Sequence, residues 1–293
     1  MRTIINYFSA LSILIVVASL FSSCEETCPA VNFTDDSITS DTVAVAFDAS
    51  LSSQKKNVLL EDFTGVRCVN CPDGHLIAAS ILDAYAPGRV VVVGLHSGEL
   101  YTEPYSFGTH DFRTTEGDDI EALVGPLQFK PCGDINRKLF SGQTERLLSR
   151  TAWAGKVAAE IPDSITKVQM KIEHSFDNAT RKLSLGIILQ YAEALNKNLN
   201  LSVMLTESGL IEPQLDQAGV DSNYVHRHVL RDMITPSIGM PVQGVKTPGH
   251  ATKYVMPEFD VPASWNADSV KIVSFITDAD SLNVMQVIEK SLK

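Results

Sequence analysis

A cysteine pair between an apolar segment and a helical pattern constrains this chain more than any other feature. Residues 58–63 (Val-Leu-Leu-Glu-Asp-Phe) predict a short strand, and the motif Cys68-Val69-Asn70-Cys71-Pro72 follows closely. Pro72 suits the first turn of a helix, where its missing N–H group costs nothing. Apolar residues then recur at helical spacing to about Tyr85. The order strand, CxxC, helix is typical of proteins that exchange thiols and disulfides.

The next segments extend this pattern into a parallel unit. Pro87-Gly88 ends the helix, and residues 89–95 form a β-branched run typical of a central strand buried on both faces. A strand, a helix and a strand of these lengths imply a right-handed parallel crossover. The composition then turns polar and irregular over residues 97–125, which predicts an insertion that could cover the cysteines. Residues 144–160 predict a second helix.

The predicted positions of the cysteines give each one a role in redox chemistry. Cys68 would lie at the amino end of the helix, where unpaired N–H groups and the helix dipole favour a thiolate. The neighbouring Arg67 would lower the pKa of Cys68 further. Cys71, one turn later, would be the more buried sulfur that resolves a mixed disulfide. Asp62, in the preceding strand, could take or give the proton below the pair.

The same motif allows two other interpretations. Cys68 and Cys71 could form a closed structural disulfide. They could also bind a metal, but one CxxC supplies only two ligands, so His75 and His96 would have to complete the site. We therefore expect no metal site, and the sequence predicts no cofactor.

The remaining cysteines complicate the redox interpretation. The chain has five cysteines, and those outside the motif are Cys24, Cys28 and Cys132. Cys132 could be a third redox-active thiol, a disulfide partner for Cys28, or a passive buried residue, and we favour the passive interpretation. A third thiol beside Cys68 could trap it in the wrong pair, which weighs against an efficient oxidoreductase.

The first residues of the chain predict a secretory signal. Arg2 is the only charge before Glu25, and residues 4–21 are almost entirely apolar. Small residues follow in Ser22-Ser23-Cys24, as they do at signal cleavage sites. The apolar run is short for a transmembrane helix. We expect residues 1–23 to be removed from the mature protein.

The end of the predicted signal resembles the lipobox of bacterial lipoproteins. Cleavage before Cys24 would leave this cysteine to carry the lipid, although Phe21 replaces the usual leucine of that motif. Residues 24–56, rich in Ser, Thr and Asp, then predict a lipidated tether with one strand near 42–47. The alternative is an ordinary secretory signal with an unmodified Cys24.

The charge of the chain excludes some partners. The chain has 24 basic and 35 acidic side chains, a net charge of −11, and removal of Arg2 with the signal would leave −12. Nucleic-acid binding needs a basic face, so we expect no nucleic-acid partner. Adsorption to an anionic membrane surface is disfavoured for the same reason, so a lipid on Cys24 would have to supply the membrane contact.

The second half of the chain predicts an antiparallel β domain. Residues 168–176 alternate apolar and polar, residues 177–180 form a turn, and residues 183–189 begin a return strand. Further strands are predicted at 199–205, 270–277 and 284–288. Antiparallel strands joined by loops favour a β-sandwich, here over residues 161–293.

A segment of this half, residues 224–231, is dense in rings and charge. On a strand, His226 and His228 would share one face and could bind a metal. Because no acidic or cysteine ligand lies beside them, we favour loop histidines that make hydrogen bonds.

The order of elements in the first half resembles the thioredoxin fold. Asp62 and Phe63 lie six and five residues before Cys68, at the positions of the buried carboxylate and the aromatic residue of thioredoxins. Pro131 lies where that family carries a cis-proline facing the CxxC, and cis bonds are common only before proline. We therefore expect an α/β plus all-β fold, with a thioredoxin-like domain over residues 57–160 and an antiparallel β-sandwich after it.

The chain as a whole resembles a Bacteroidetes lipoprotein family, the twenty-eight-kilodalton outer-membrane-protein family. The segments that carry the resemblance are residues 59–75, 91–96, 133–137 and 224–231. The resemblance implies a thioredoxin-like domain, a β-sandwich and a lipid anchor in the outer membrane, and the family is described as surface antigens or adhesin-like lipoproteins. Glu25-Glu26 resembles the acidic tag that sends some of these lipoproteins to the cell surface. Cys132 departs from the pattern, because a small hydroxyl residue is expected there.

Two functions follow from these observations. The first is a lipid-anchored surface protein whose β domain binds a protein or another extracellular partner, with Cys68 and Cys71 closed as a disulfide. The second is a thiol–disulfide oxidoreductase that acts on envelope proteins, with Cys68 as nucleophile, Cys71 resolving, and Pro131 and Asp62 supporting the site.

Overall fold

Two β-sheets contain most of the described strands. The structure, a computed structural model, describes residues 41–161 and 163–293. Its strands are β1 (Asp41–Val45), β2 (Val58–Phe63), β3 (Val90–Leu95), β4 (Cys132–Ile135), β5 (Leu148–Ser149), β6 (Val168–Asp177), β7 (Lys182–Tyr191), β8 (Leu199–Glu207), β9 (Leu210–Ile211), β10 (Gln214–Asp216), β11 (Gly219–Asp221), β12 (Val225–His226), β13 (Val229–Met233), β14 (Met240–Pro241), β15 (Ala251–Val255), β16 (Phe259–Asp260), β17 (Val270–Asp278) and β18 (Val284–Ser291).

Helices are few beside these strands. Within the described residues the α-helices are α1 (Cys71–Ala84), α2 (Thr115–Val124) and α3 (Trp153–Glu160), and short 3₁₀ turns occur at Ala49–Ser53 and Arg150–Ala152. Among these described helices, none combines the length and apolar character needed to cross a membrane. The predominance of strands confirms the expectation of a β-rich fold.

The predicted parallel crossover is present. β2 and β3 pair in parallel from Val58↔Val90 to Phe63↔Leu95, and α1 connects them. β4 pairs antiparallel to β2 on the other side, with Phe63 opposite Cys132. The continuous β-branched run of β3 is fully buried, as a central strand requires.

One nine-stranded sheet contains strands from both halves of the chain. Its order is β18-β17-β8-β13-β3-β2-β4-β5, and β14 pairs with β8. The join is a parallel contact between β13 and β3, where the Gly94 N–H donates to the His228 carbonyl at 2.7 Å. The division into domains at residues 160 and 161 stays a prediction, and Pro162 within the predicted linker lies outside the described residues.

The β2–β3 part of this sheet is covered on both faces. Alternate residues Val58, Leu60, Val90 and Val92 belong to an apolar cluster that includes side chains of α1 and α3. The residues between them on the strands face a second cluster that includes α2, β13 and β17. This two-sided burial explains why β3 is apolar throughout and why β2 is apolar except for the buried Glu61 and Asp62.

A five-stranded antiparallel sheet packs against the part of the nine-stranded sheet that contains β8 and β17. Its order is β1-β15-β7-β16, with β6 paired to β7. The predicted hairpin is confirmed, because β6 and β7 pair from Val168↔Tyr191 to Asp177↔Lys182. One apolar cluster takes residues from β6 and β7 in this sheet and from β8 and β17 in the nine-stranded sheet, so the two sheets share a core.

Two helix predictions need correction. The helix expected over residues 144–160 is shorter and begins at Trp153, because residues 148–152 form β5 and a 3₁₀ turn. The insertion expected to be irregular contains α2, which the Thr114 hydroxyl caps by accepting from the Gly117 N–H at 3.0 Å. The sequence did not predict this helix because most of its residues are polar and only a narrow face of it is buried.

Candidate functional site

The CxxC motif forms a closed and buried disulfide. Cys68 and Cys71 are disulfide-bonded, with their Cα atoms 5.3 Å apart, and Cys71 is the first residue of α1. Cys68 is 2% exposed and Cys71 is fully buried. Cys71 is the more buried of the two, as expected, but Cys68 is buried as well and is not the exposed nucleophile that thiol exchange needs.

A segment from the second half of the chain covers Cys68. This cover segment consists of residues 214–217, which include β10. The buried Gln214 amide donates to the carbonyls of Gly65 and Cys68, at 3.2 and 3.1 Å. The Leu215 N–H donates to the Val66 carbonyl at 2.8 Å. These bonds tie the cover segment to the backbone of the loop that contains the motif.

The insertion holds the other side of the same loop. The Arg67 N–H donates to the Tyr101 carbonyl at 2.9 Å, and the Arg67 guanidinium donates to the carbonyls of Glu103 and Pro104. The guanidinium also lies 4.3 Å from the centre of the Tyr105 ring. The backbone and guanidinium N–H groups of Arg67 thus donate to the insertion, residues 97–125.

Pro131 packs against the helix that begins at Cys71, and Cys132 follows it in the apolar cluster on the other face of the sheet. The Lys130–Pro131 bond is cis, and α1 packs so near that a Cβ on Gly74 would lie 3.1 Å from ring carbons of Pro131. Cys132 is buried and forms no disulfide within the described residues. Burial raises the pKa of the Cys132 thiol to about 12, so it is a poor nucleophile at neutral pH.

Asp62 is a buried carboxyl at the carboxyl end of β2. Burial raises the pKa of Asp62 to about 8, although the charge of Lys130 opposes this shift. Lys130 itself donates to the Ser97 carbonyl at 2.5 Å. Within residues 41–161 and 163–293, Asp62 Oδ1 has no hydrogen-bond partner. At neutral pH this carboxyl is mostly protonated and able to donate.

A group of imidazole rings lies beside Asp62. His75, on α1, contacts the Thr64 hydroxyl through Nε2 at 2.8 Å and the Tyr224 hydroxyl through Nδ1 at 2.6 Å. His96 and His226 are buried, with ring centres 5.8 Å apart. The sequence singled out His75, His96 and His226 only as candidate metal ligands and did not predict their grouping with Asp62.

The two histidines of residues 224–231 do not share a strand face. β12 ends at His226, and His228 has a positive φ of 57°, so the backbone turns between β12 and β13. In the part of the chain that the structure describes, no group of three or more His, Cys, Asp and Glu side chains is arranged to hold a metal ion.

A buried ion pair, which the sequence analysis did not predict, joins β2 to the segment that follows β4. The Arg137 guanidinium donates to both carboxylate oxygens of Glu61 at 2.7 Å, and both side chains are fully buried. Arg137 also lies 5.0 Å from the centre of the Phe275 ring on β17. The pair therefore ties β2 and the segment after β4 to the second half of the chain.

The predicted lipidation site, Cys24, and the predicted signal over residues 1–23 lie outside the described residues. The same is true of Cys28, the possible partner of Cys132.

The site and fold define a β-rich protein with an α/β portion and an internal disulfide. A family model described as "Outer membrane protein Omp28" matches residues 127–293, more than half of the sequence. The chain belongs to this family of outer-membrane proteins, which confirms the resemblance seen in the sequence. The match begins after the CxxC, so family membership assigns no role to the disulfide.

One solved structure shares the overall fold of this chain. HBP35 of Porphyromonas gingivalis matches with a TM-score of 0.62 at 16% identity, covering 81% of this chain and 75% of that one. A domain of the outer membrane lipoprotein Omp28 from the same organism matches with a TM-score of 0.27 at 18% identity, covering 43% of this chain and 88% of that one. A comparison with curated proteins found no match.

Proposed function

We propose that this chain is a lipid-anchored protein of the outer-membrane surface, with a thioredoxin-like portion that acts as a scaffold. In this proposal Cys68 and Cys71 form a structural disulfide, and the β-rich half presents a binding or adhesion surface. Lipid on Cys24 supplies the membrane contact, and the partner is a protein or another extracellular molecule.

The burial of the disulfide carries this proposal. Thiol–disulfide exchange needs a thiolate to reach one sulfur in line with the S–S bond. Cys68, the sulfur expected to be attacked, is 2% exposed beneath the cover segment. Exchange therefore requires the cover segment to open first, which favours a structural role over rapid turnover.

Several features support the thioredoxin-like assignment. The parallel β2–α1–β3 unit is followed by β4, antiparallel to β2, and a cis Lys130–Pro131 bond precedes β4. The CxxC lies at the start of α1, and the buried Asp62 lies on the adjacent strand.

Exposed apolar side chains support a binding role for the second half. Ile211, Val220 and Val225 are 57%, 43% and 44% exposed, on β9, β11 and β12. β9 and β12 pair with each other, which brings Ile211 directly opposite Val225. The adjacent, exposed side chains of Ile211 and Val225 favour contact with another molecule.

The alternative function is a thiol–disulfide oxidoreductase. Asp62 favours it, because a buried carboxyl with a pKa near 8 can accept or donate a proton at neutral pH. In that reaction a substrate thiolate would attack Cys68, the bond to Cys71 would break, and a second substrate thiol would resolve the mixed disulfide. An external oxidant would then be needed to restore the disulfide.

Removal of the cover tests the proposal. Gln214→Ala deletes the two amide bonds to Gly65 and Cys68, so the local free energy of opening should fall by about 1–3 kcal/mol. We expect dithiothreitol to reduce the disulfide slowly in the wild type and at least about fivefold faster in this variant. Trapping with iodoacetamide followed by mass spectrometry measures both rates.

Gln217→Ala is the matched control. Among the described residues its amide donates to the exposed side chain of Asn70, at 3.1 Å, and not to the backbone of the CxxC loop, so this variant should be reduced at the wild-type rate. If the wild-type disulfide is reduced as fast as an unstructured one, and Gln214→Ala changes nothing, the structural assignment is wrong and the oxidoreductase is favoured.

A further inference from the structure

A cavity of about 390 Å³ lies between α1 and residues 224–228. Its volume is within the range of small-molecule sites, about 300–1,000 Å³. The lining comes from residues 62–64, 75–83, 92–96 and 224–228, so the disulfide does not contribute to it. We call it the histidine cavity.

One part of the lining of the histidine cavity, called here the polar wall, contains buried nitrogen and oxygen atoms that have no hydrogen-bond partner among the described residues. His96 is buried, and neither of its ring nitrogens has a hydrogen-bond partner among the described residues. The same holds, within the described chain, for Nδ1 of His226 and Oδ1 of Asp62, which are also buried. Buried polar groups in folded proteins are normally hydrogen-bonded, so this concentration of unpaired atoms indicates a place where another molecule binds.

The same wall is held in position by its neighbours. The Thr64 and Tyr224 hydroxyls fix the His75 ring from both sides. The rings of Tyr224 and His226 lie 4.9 Å apart, and Phe112 lies 4.9 Å from both His96 and His226. The wall is therefore a packed set of rings with defined orientation.

Another part of the lining is apolar. Ala78, Ala79 and Leu82 of α1 line the cavity together with Val92 of β3. A lining that combines apolar side chains with aromatic rings suits a flat ring, because both offer van der Waals contact to it.

The protonation states of the polar wall disfavour a charged ligand. Burial lowers the pKa of His75 to about 3 and of His226 to about 4, and it also lowers the pKa of His96. Burial raises the pKa of Asp62 to about 8. Near pH 7 these groups are mostly neutral, so an ion that reaches them would lose its hydration without gaining a counter-charge from them. The charged residues of the lining, Asp83 and Arg227, are exposed to solvent.

We propose that the histidine cavity binds a small, uncharged aromatic molecule that carries a hydroxyl group. The ring would lie against α1, and the hydroxyl would pair with the free atoms of His96, His226 and Asp62. This site is independent of the disulfide and of the proposed anchoring role.

Binding of 2-naphthol to the folded wild-type chain tests the proposal, measured by naphthol fluorescence and by calorimetry at pH 7. We expect saturable one-to-one binding. Naphthalene, which lacks the hydroxyl, and 2-naphthoate, which is an anion, should each bind at least about tenfold more weakly. No saturable binding of 2-naphthol, or equal affinity for all three probes, would overturn the proposal.

Substitutions locate the site. Ala79→Phe fills the cavity from the apolar part of the lining and should abolish 2-naphthol binding, whereas Ser80→Phe, exposed on the next position of α1, should leave it unchanged. Circular dichroism checks that each variant is folded. Retained binding in folded Ala79→Phe would show that the probe binds elsewhere and would refute the site.

A second substitution keeps the test decisive if Ala79→Phe does not fold. His96→Phe keeps a ring but removes both free nitrogens, so the preference for 2-naphthol over naphthalene should shrink at least about fivefold. An unchanged preference would contradict the role of this wall. Stoichiometric binding of Zn²⁺ that His96→Phe abolishes would instead identify a metal site and overturn the proposal.

Discussion

Asp62 is the residue at which burial has the clearest energetic consequence. Its carboxyl has a pKa of about 8 in the folded chain, against an ordinary value of 3.8. Between these values the folded state holds a proton that the unfolded state releases. The stability contributed by Asp62 is therefore fully present below about pH 4 and is lost progressively as the pH rises through about 8.

Asp62→Asn should remove this pH dependence, because asparagine cannot ionise. Relative to the wild type, the variant should gain up to about 1.4 kcal/mol of unfolding free energy per pH unit across this range. Urea denaturation at pH 5, 6, 7 and 8 measures the difference. The lowered pKa values of His75 and His226 act in the acidic range and are common to both proteins.

The exposed Asp83, on the same helix as His75, supplies the control. Asp83→Asn makes the same chemical change at an exposed position, so its effect on the unfolding free energy should be small, within about 0.5 kcal/mol. A constant difference between Asp62→Asn and the wild type from pH 5 to pH 8 would show that Asp62 is ionised in the folded chain.

At the same scale, the sequence located the cysteines but not their exposure. The positions of Cys68 and Cys71 relative to β2 and α1 are local, so the pattern of residues 58–85 was sufficient. The burial of Cys68 depends on Gln214, which lies 146 residues away from it. No local pattern contains that contact.

At the scale of elements, the strongly periodic segments were predictable. β2, α1, β3 and the β6–β7 hairpin lie where apolar spacing placed them, because each buries a wide apolar face. α2 was missed since only one narrow side of it is buried. The start of α3 was placed too early, because β5 pairs with β4 and removes residues 148–149 from the helix.

Close packing between elements explains another unpredicted feature. A Cβ on Gly133 would lie 2.6 Å from the Glu61 carbonyl oxygen and 3.0 Å from the Trp153 ring. Glycine thus lets β4 lie between β2 and α3, and the buried pair of Glu61 and Arg137 forms beside it. Such contacts join residues far apart in sequence, so they follow from the assembled fold and not from any one segment.

At the scale of the molecule, strand pairing and hydrogen bonds connect the first half of the chain to the second, in addition to the linker. The parallel pairing of β13 with β3 extends one sheet through both, and the cover segment brings the second half onto the CxxC loop. Pairing between distant strands leaves no periodic signal, which is why the sequence predicted two adjacent domains. Gly94 and His228, which this pairing joins, both line the histidine cavity.

The proposed lipid anchor belongs to this scale as well. Cys24→Ala removes the predicted lipid attachment site, so the chain should move from the membrane to the soluble fraction of cells. Fractionation followed by immunoblotting measures this, with Cys28→Ala as the matched control that should stay in the membrane. Continued membrane association of Cys24→Ala would refute lipidation at this residue.

The reduction potential of the Cys68–Cys71 disulfide tests the central claim most directly. Equilibration of the folded chain with dithiothreitol redox buffers, followed by quantification of free thiols, gives the value. A structural disulfide predicts a potential below about −300 mV, together with no reduction of insulin. A potential of about −120 to −180 mV, the range of oxidising catalysts, would contradict the account and identify the protein as an oxidoreductase.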